Sequence, residues 1–207
     1  MGEEVGDESE EEPEAPTLSA QLEDWMESAD HRKTIGDLVE TFGPNSFAVL
    51  FVVMMAFPAL PLPTGGLSHV LEVITMLLAL ELVCGRREVW VPKRFVDREL
   101  KGLGPRFSAA LLKRVRWFEK LSRPRWAHLL EMRVTAMFFG FVVLGLAVTA
   151  FLAPPFSGLD TLPALGVVVM SLGFLLGDAL VAGIGLGIGI GGIGVVIGLG
   201  RVILSFF

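Results

Sequence analysis

The chain has 207 residues, 52% of them hydrophobic, and a mean hydropathy of +0.62, which excludes an ordinary soluble domain and marks an integral membrane protein. The net charge of −6 is segregated: residues 1–46 hold fourteen acids and two bases, and residues 86–133 hold fourteen bases and five acids. The lone cysteine, Cys84, excludes an intrachain disulfide and a multi-cysteine metal site.

Residues 1–17 are nearly all Glu, Gly, Asp, Ser and Pro, too polar to offset ordering entropy, and read as a disordered acidic tail. The N-terminus lacks the basic-then-apolar pattern of a signal peptide, so the first apolar segment is expected to direct insertion. Residues 18–46 read as amphipathic interfacial helices. Leu18, Leu22, Trp25 and Met26 share one face, and Ile35, Leu38, Val39 and Phe42 share another before Gly43-Pro44 stops the pattern.

Residues 47–84 form a broken hydrophobic hairpin. Phe47–Leu60 reaches about 21 Å as a helix, short of the roughly 30 Å hydrocarbon core. Leu67–Cys84 is closer to a full span. Between them Pro61, Pro63, Gly65 and Gly66 cannot continue a helix. The pair is either two short or tilted spans or a re-entrant hairpin.

Residues 85–133 are a basic segment in which Phe107–Leu121 reads as an amphipathic helix, with Phe107, Leu111, Val115, Phe118 and Leu121 as its stripe. Trp90, Trp117 and Trp126 suit the headgroup level. Basic residues among aromatics also suit nucleic acid, but apolar flanks favour anionic lipid headgroups, and no nucleic-acid partner is expected. The positive-inside rule places this segment in the cytoplasm, and the N-terminus with it.

Residues 134–207 hold the second broken hairpin and a C-terminal helix. Val134–Ala153 is a full apolar span, Pro154-Pro155-Phe156-Ser157-Gly158 breaks it, and Thr161–Leu176 is apolar again. Ala179–Gly200 alternates Gly with Ile or Leu, yet in a membrane chain it reads as a Gly-rich transmembrane helix. Gly183, Gly187 and Gly191, or Gly185 and Gly189, then offer small-residue faces for internal packing or a homodimer.

An offset of 92 residues aligns the two breaks: Leu60 with Leu152, Pro63 with Pro155, Gly66 with Gly158, Leu67 with Leu159, Leu80 with Leu172 and Gly85 with Gly177. The fold expected is therefore all-α and membrane-embedded, with two repeated Pro/Gly-broken hairpins and a C-terminal Gly-rich helix. Paired breaks of this kind point to a transporter-type site near the midplane.

Several strings carry a family resemblance: Pro61-Leu62-Pro63, Gly66-Leu67-Ser68, Leu78-Ala79-Leu80-Glu81-Leu82 and Gly85 through Pro92 in the first half, then Pro155, Leu162-Pro163-Ala164-Leu165 and Leu172-Gly173. In that order they resemble the ExoD family of bacterial membrane proteins, named for exopolysaccharide synthesis, over about residues 34–180. The resemblance implies a multi-pass protein of the cytoplasmic (inner) membrane linked to exopolysaccharide production. The chain departs from the family pattern in carrying Glu81 where Gln is usual and Glu72 where a small residue is usual.

No catalytic set is apparent, so an enzyme is not expected. His31, His69 and His128 lack metal-ligand spacing, and there is no P-loop, dinucleotide fingerprint or nucleophile elbow. Neither a metal nor another cofactor is expected. The candidate substrate or ion site is Pro63, Gly66, Ser68, His69, Glu72 and Glu81 from the first hairpin, with Pro155, Gly158 and Asp160 from the second. Intramembrane ionisable groups are functional candidates by default. Against that, His69 and Glu72 could be hydrated at the interface, and Glu81 could pair with Arg86 or Arg87. Arg86, Arg87, Arg114 and Arg116 are the candidate lipid-headgroup contacts.

Overall fold

The computed structural model describes residues 17–27, 35–60, 66–86, 89–90, 105–121, 130, 132–154 and 157–204. Residues 1–16 of the acidic tail, and Pro63, Arg87, Trp126 and Pro155, lie outside these. The described residues form eight α-helices and no strand: α1 (Leu18–Glu27), α2 (Ile35–Phe42), α3 (Ser46–Ala56), α4 (Gly66–Val83), α5 (Pro105–Leu121), α6 (Arg133–Leu152), α7 (Thr161–Leu175) and α8 (Ala179–Leu204), with a short 3-10 turn at Gly43–Asn45.

Among the described residues, three helices are long and apolar enough to cross a membrane: α4, α6 and α8. Each turns apolar side chains outward. Val70, Val73, Leu77 and Leu80 line the exposed face of α4, and Val134, Phe138, Phe141 and Leu152 that of α6. Leu180, Ile184 and Ile190 do the same on α8. Exposed apolar stripes on three spans form a surface suited to lipid rather than water.

The short helices fill the middle. Ten of the eleven residues of α3 are buried, and its sides are equally apolar, so it is a core helix rather than an amphipathic one. Pro58 cannot donate to the carbonyl one turn back, and α3 passes into turns in which Ala59 N–H bonds Met55 O and Leu60 N–H bonds Phe57 O. Helix α3 packs between α4 and α7. Phe51 meets Phe139 of α6 edge-on at 5.7 Å, and Phe139 stacks on Phe174 of α7 at 4.0 Å.

Helices α7 and α8 form an antiparallel hairpin with a regular register. Pro163 lies against Gly192, Gly166 against Gly189, Met170 against Gly185 and Gly173 against Ala182. A Cβ on Gly185 would fall 2.6 Å from Met170 Cα, and one on Gly166 2.5 Å from Gly189 Cα. The helices touch backbone to backbone, which only glycine permits. The row that packs is thus Gly185, Gly189 and Gly192. Gly183, Gly187 and Gly191 face outward with nothing within 4 Å of an added Cβ.

Helices α4 and α6 are also antiparallel. His69 lies beside Phe151, a Cβ on Gly140 would be 3.1 Å from Leu82 Cβ, and Arg133 Nη2 donates to Gly85 O at 3.3 Å. Helices α4 and α7 end alike. Gly85 has φ +79° and Gly177 φ +64°. After α4, Arg86 N–H bonds Glu81 O and Gly85 N–H bonds Leu82 O; after α7, Asp178 N–H bonds Gly173 O and Gly177 N–H bonds Phe174 O. Both are Schellman closures that need the left-handed glycine. These two glycines are 92 residues apart.

The amphipathic segments pair with each other. Ser19 N–H donates to Glu119 Oε1 at 2.6 Å, Ser19 Oγ donates to Glu119 Oε2, and Arg116 pairs with Glu23. Helix α1 therefore runs antiparallel to α5 and buries Leu22 while α5 buries Leu111 and Val115. The N-terminal acidic region thus touches the basic segment directly. Glu119→Ala removes both bonds to Ser19 and is expected to weaken this clasp by about 1–2 kcal/mol. Hydrogen exchange of the α1 amides should then run roughly tenfold faster while that of α7 is unchanged.

Candidate functional site

Glu72 sits on the inner face of α4 with Ser68 one turn before it and Thr75 one turn after. All three are buried, Glu72 completely. Thr75 Oγ1 donates to Leu71 O at 2.9 Å, which satisfies it within its own helix. Neither carboxylate oxygen of Glu72 accepts a hydrogen bond. His69 Nδ1 lies 3.3 Å from Glu72 Oε2 and is likewise without a hydrogen bond. The His69 side chain is 27% exposed, and its ring rests 5.3 Å from that of Phe151 at the end of α6.

The second break comes to the same end of the bundle. Ala153 turns extended at ψ 138°, and Pro154 follows. Ser157 Oγ donates to Pro154 O at 2.6 Å and accepts Leu159 N–H at 3.2 Å. Gly158 takes φ +69°. Asp160 then stands at the foot of α7, within electrostatic range of Glu72. Gly66, Ser68, His69, Glu72, Gly158 and Asp160 are thus gathered where α4 begins, α6 ends and α7 begins.

Glu81 is elsewhere. Nine residues on from Glu72 is two and a half helical turns, so it lies about 14 Å further along and on the opposite face. Its Oε2 accepts Trp90 N–H at 2.9 Å. Arg86 sits over the Trp90 ring at 5.6 Å, and Trp90 is exposed. Of the other candidate headgroup contacts, Arg114 and Arg116 are exposed on α5, and Arg116 is engaged by Glu23. No cluster of three His, Cys, Asp or Glu side chains able to hold a metal occurs among the described residues.

One residue missed as structural is Asp178. Its Oδ1 accepts Leu180 N–H at 3.0 Å and Val181 N–H at 3.4 Å, which caps α8. The Gly-Asp-Ala string before the Gly-rich run carries that signal.

The family model described as "Exopolysaccharide synthesis, ExoD" matches residues 18–198, nearly the whole chain. The chain belongs to the ExoD family. It is 28% identical over 152 residues to Protein ExoD of Rhizobium meliloti, across 71% of this chain and 62% of that relative. It is 26% identical over 172 residues to an uncharacterised protein of Synechocystis sp., across 82% of this chain and 80% of the relative. No solved structure matches. ExoD membership links the chain to exopolysaccharide synthesis, and the matched span contains every helix described above except the end of α8.

Proposed function

We propose that the chain is a multi-pass protein of the bacterial cytoplasmic membrane that moves or holds a small or lipid-linked substrate for exopolysaccharide production. The site is the junction of the two breaks. The observation that carries this reading is Glu72, fully buried with neither oxygen hydrogen-bonded and the His69 imidazole 3.3 Å from one of them. A buried carboxyl whose hydrogen bonds are unmade costs about 1–3 kcal/mol, and ionisable groups inside a membrane chain are functional candidates.

Further features support the reading. Helix α3 has 11 residues, about 16 Å, and is buried on all sides, which suits a re-entrant half-helix enclosed by protein. The matching closures at Gly85 and Gly177 suit two half-repeats. The basic segment is assigned to the cytoplasm on its Lys and Arg content, and the N-terminus is assigned with it because the first hairpin returns to the same side.

A labelled lipid-linked saccharide and proteoliposomes of the full chain test it. Glu72→Gln and Asp160→Asn should each lower flux about tenfold or more, an effect equal to one lost charge-assisted hydrogen bond. Flux equal to wild type in both variants sinks the site. Leu77→Ala, on the outer face of α4, is the control.

A second reading is a non-transporting accessory component of the exopolysaccharide assembly. The exposed Lys113, Arg114, Trp117 and Lys120 of α5 favour it, since this face remains available after α1 has covered the apolar one. The same face suits anionic headgroups. The outward row of Gly183, Gly187 and Gly191 suits a homodimer. If the accessory reading holds, charge reversal at Arg114 abolishes partner pull-down.

A further inference from the structure

Glu72 has no structural use that the fold reveals. Among the described residues it caps no helix and pairs with no Lys or Arg, and its oxygens accept no hydrogen bond. A carboxylate in that position needs either a cation or a proton. Among the described residues no three His, Cys, Asp or Glu side chains come together as a metal site, so Asp160 does not complete one with Glu72 and His69 for a hard divalent cation. Glu72 and His69 suit a proton. His69 Nδ1 is 3.3 Å from Glu72 Oε2, slightly longer than a formed N–H···O bond, and imidazole is the side chain best matched to proton relay near neutral pH.

The pair also spans a boundary. Glu72 is fully buried, while His69, nearer the start of α4, is 27% exposed beside Phe151. Other charges are few. Helices α3 and α7 carry no titratable side chain, and α6 carries only Arg133, at the far end beside Gly85. From the α6–α7 connection the one carboxylate in range is Asp160.

We infer that the ligand of this site is a proton, which Glu72 binds reversibly and His69 delivers. His69 takes a proton at Nε2 and passes the Nδ1 proton to Glu72 Oε2. The Nδ1–H bond breaks, the O–H bond forms, and the imidazole is left neutral with its proton on Nε2. The inference rests on the proposed transport only for what the proton drives, since proton binding itself is measurable without a substrate.

Infrared difference spectroscopy of the full-length protein in phosphatidylcholine vesicles, titrated from acid to alkaline in H2O and D2O, reads this directly. Wild type should show a carboxylic-acid C=O band that vanishes as Glu72 loses its proton. Glu72→Gln should lack that band, and Glu72→Asp should move it. His69→Asn should keep the band but slow its deuterium exchange about a hundredfold, the low end for positioned proton transfer. A band that survives Glu72→Gln, or exchange as fast in His69→Asn as in wild type, overturns the inference. Flux that depends on Glu72 in a protein lacking the band sinks the proton and leaves the transport reading standing. A Glu72-dependent band with His69-dependent exchange but no flux sinks the transport reading alone.

Discussion

Glu72→Leu is expected to make the protein more stable and to abolish its function. Leucine is close in size to glutamate and removes the charge from the buried inner face of α4. The substitution removes two buried oxygens that accept nothing. Each unsatisfied buried group costs about 1–3 kcal/mol, and replacing buried ionic groups with apolar ones often stabilises by about 1–4 kcal/mol. In a chain of this length each kcal/mol moves the melting temperature by about 2–4 °C, so a rise of several degrees in detergent is the expected result. Glu72→Gln keeps two polar atoms in the same place and should melt close to wild type. A fall in melting temperature for Glu72→Leu would show that the carboxyl has a structural partner, and the site assignment would lose its basis.

Gly185→Leu should have the largest effect in the opposite direction. Any Cβ at Gly185 runs into the Met170 backbone, so α7 and α8 must separate to admit a side chain. Overpacking of a tight contact costs about 1–3 kcal/mol, and here the obstacle is backbone, which cannot rotate away, so about 3 kcal/mol or more is expected. Gly194→Leu is on the same helix but meets nothing within 4 Å. It should be neutral or gain up to about 1 kcal/mol from helix propensity. Thermal melting of the two variants side by side decides the matter. Equal melting would mean that the α7–α8 register described here is wrong.

This contrast shows how far the sequence could be read. The Gly-rich run offers interleaved rows with the same small-xxx-small spacing, Gly183/Gly187/Gly191 and Gly185/Gly189. Periodicity along one helix cannot say which row meets a partner. The choice is made by α7, where Gly166, Met170 and Gly173 recur at intervals that fit Gly189, Gly185 and Ala182. Helix positions themselves were legible, because continuous apolar runs bounded by Pro and Gly leave little freedom. Thus Leu67–Cys84 became Gly66–Val83 and Phe107–Leu121 became Pro105–Leu121.

The pairing of α1 with α5 was less legible. Both stripes were visible, but each suited a membrane interface as well as a partner helix. The complement of Glu23 to Arg116 and of Ser19 to Glu119 is non-local, across some hundred residues. For the site, Glu72 and Glu81 were grouped together, although helical arithmetic puts residues nine apart on opposite faces. It could not say which face was inward. The burial of Ser68, Glu72 and Thr75 settles that, and places Glu81 at the rim with Trp90.

We propose that Glu72, which stands where the family usually has a small residue, is required for what this chain does at the end of the bundle where α4 begins and α6 ends. The most direct test is exopolysaccharide output in a producing bacterium stripped of its own family member and supplied with this chain. Wild type should restore output. Glu72→Leu, present in the membrane at wild-type amount, should restore none. Full restoration by Glu72→Leu would contradict the claim.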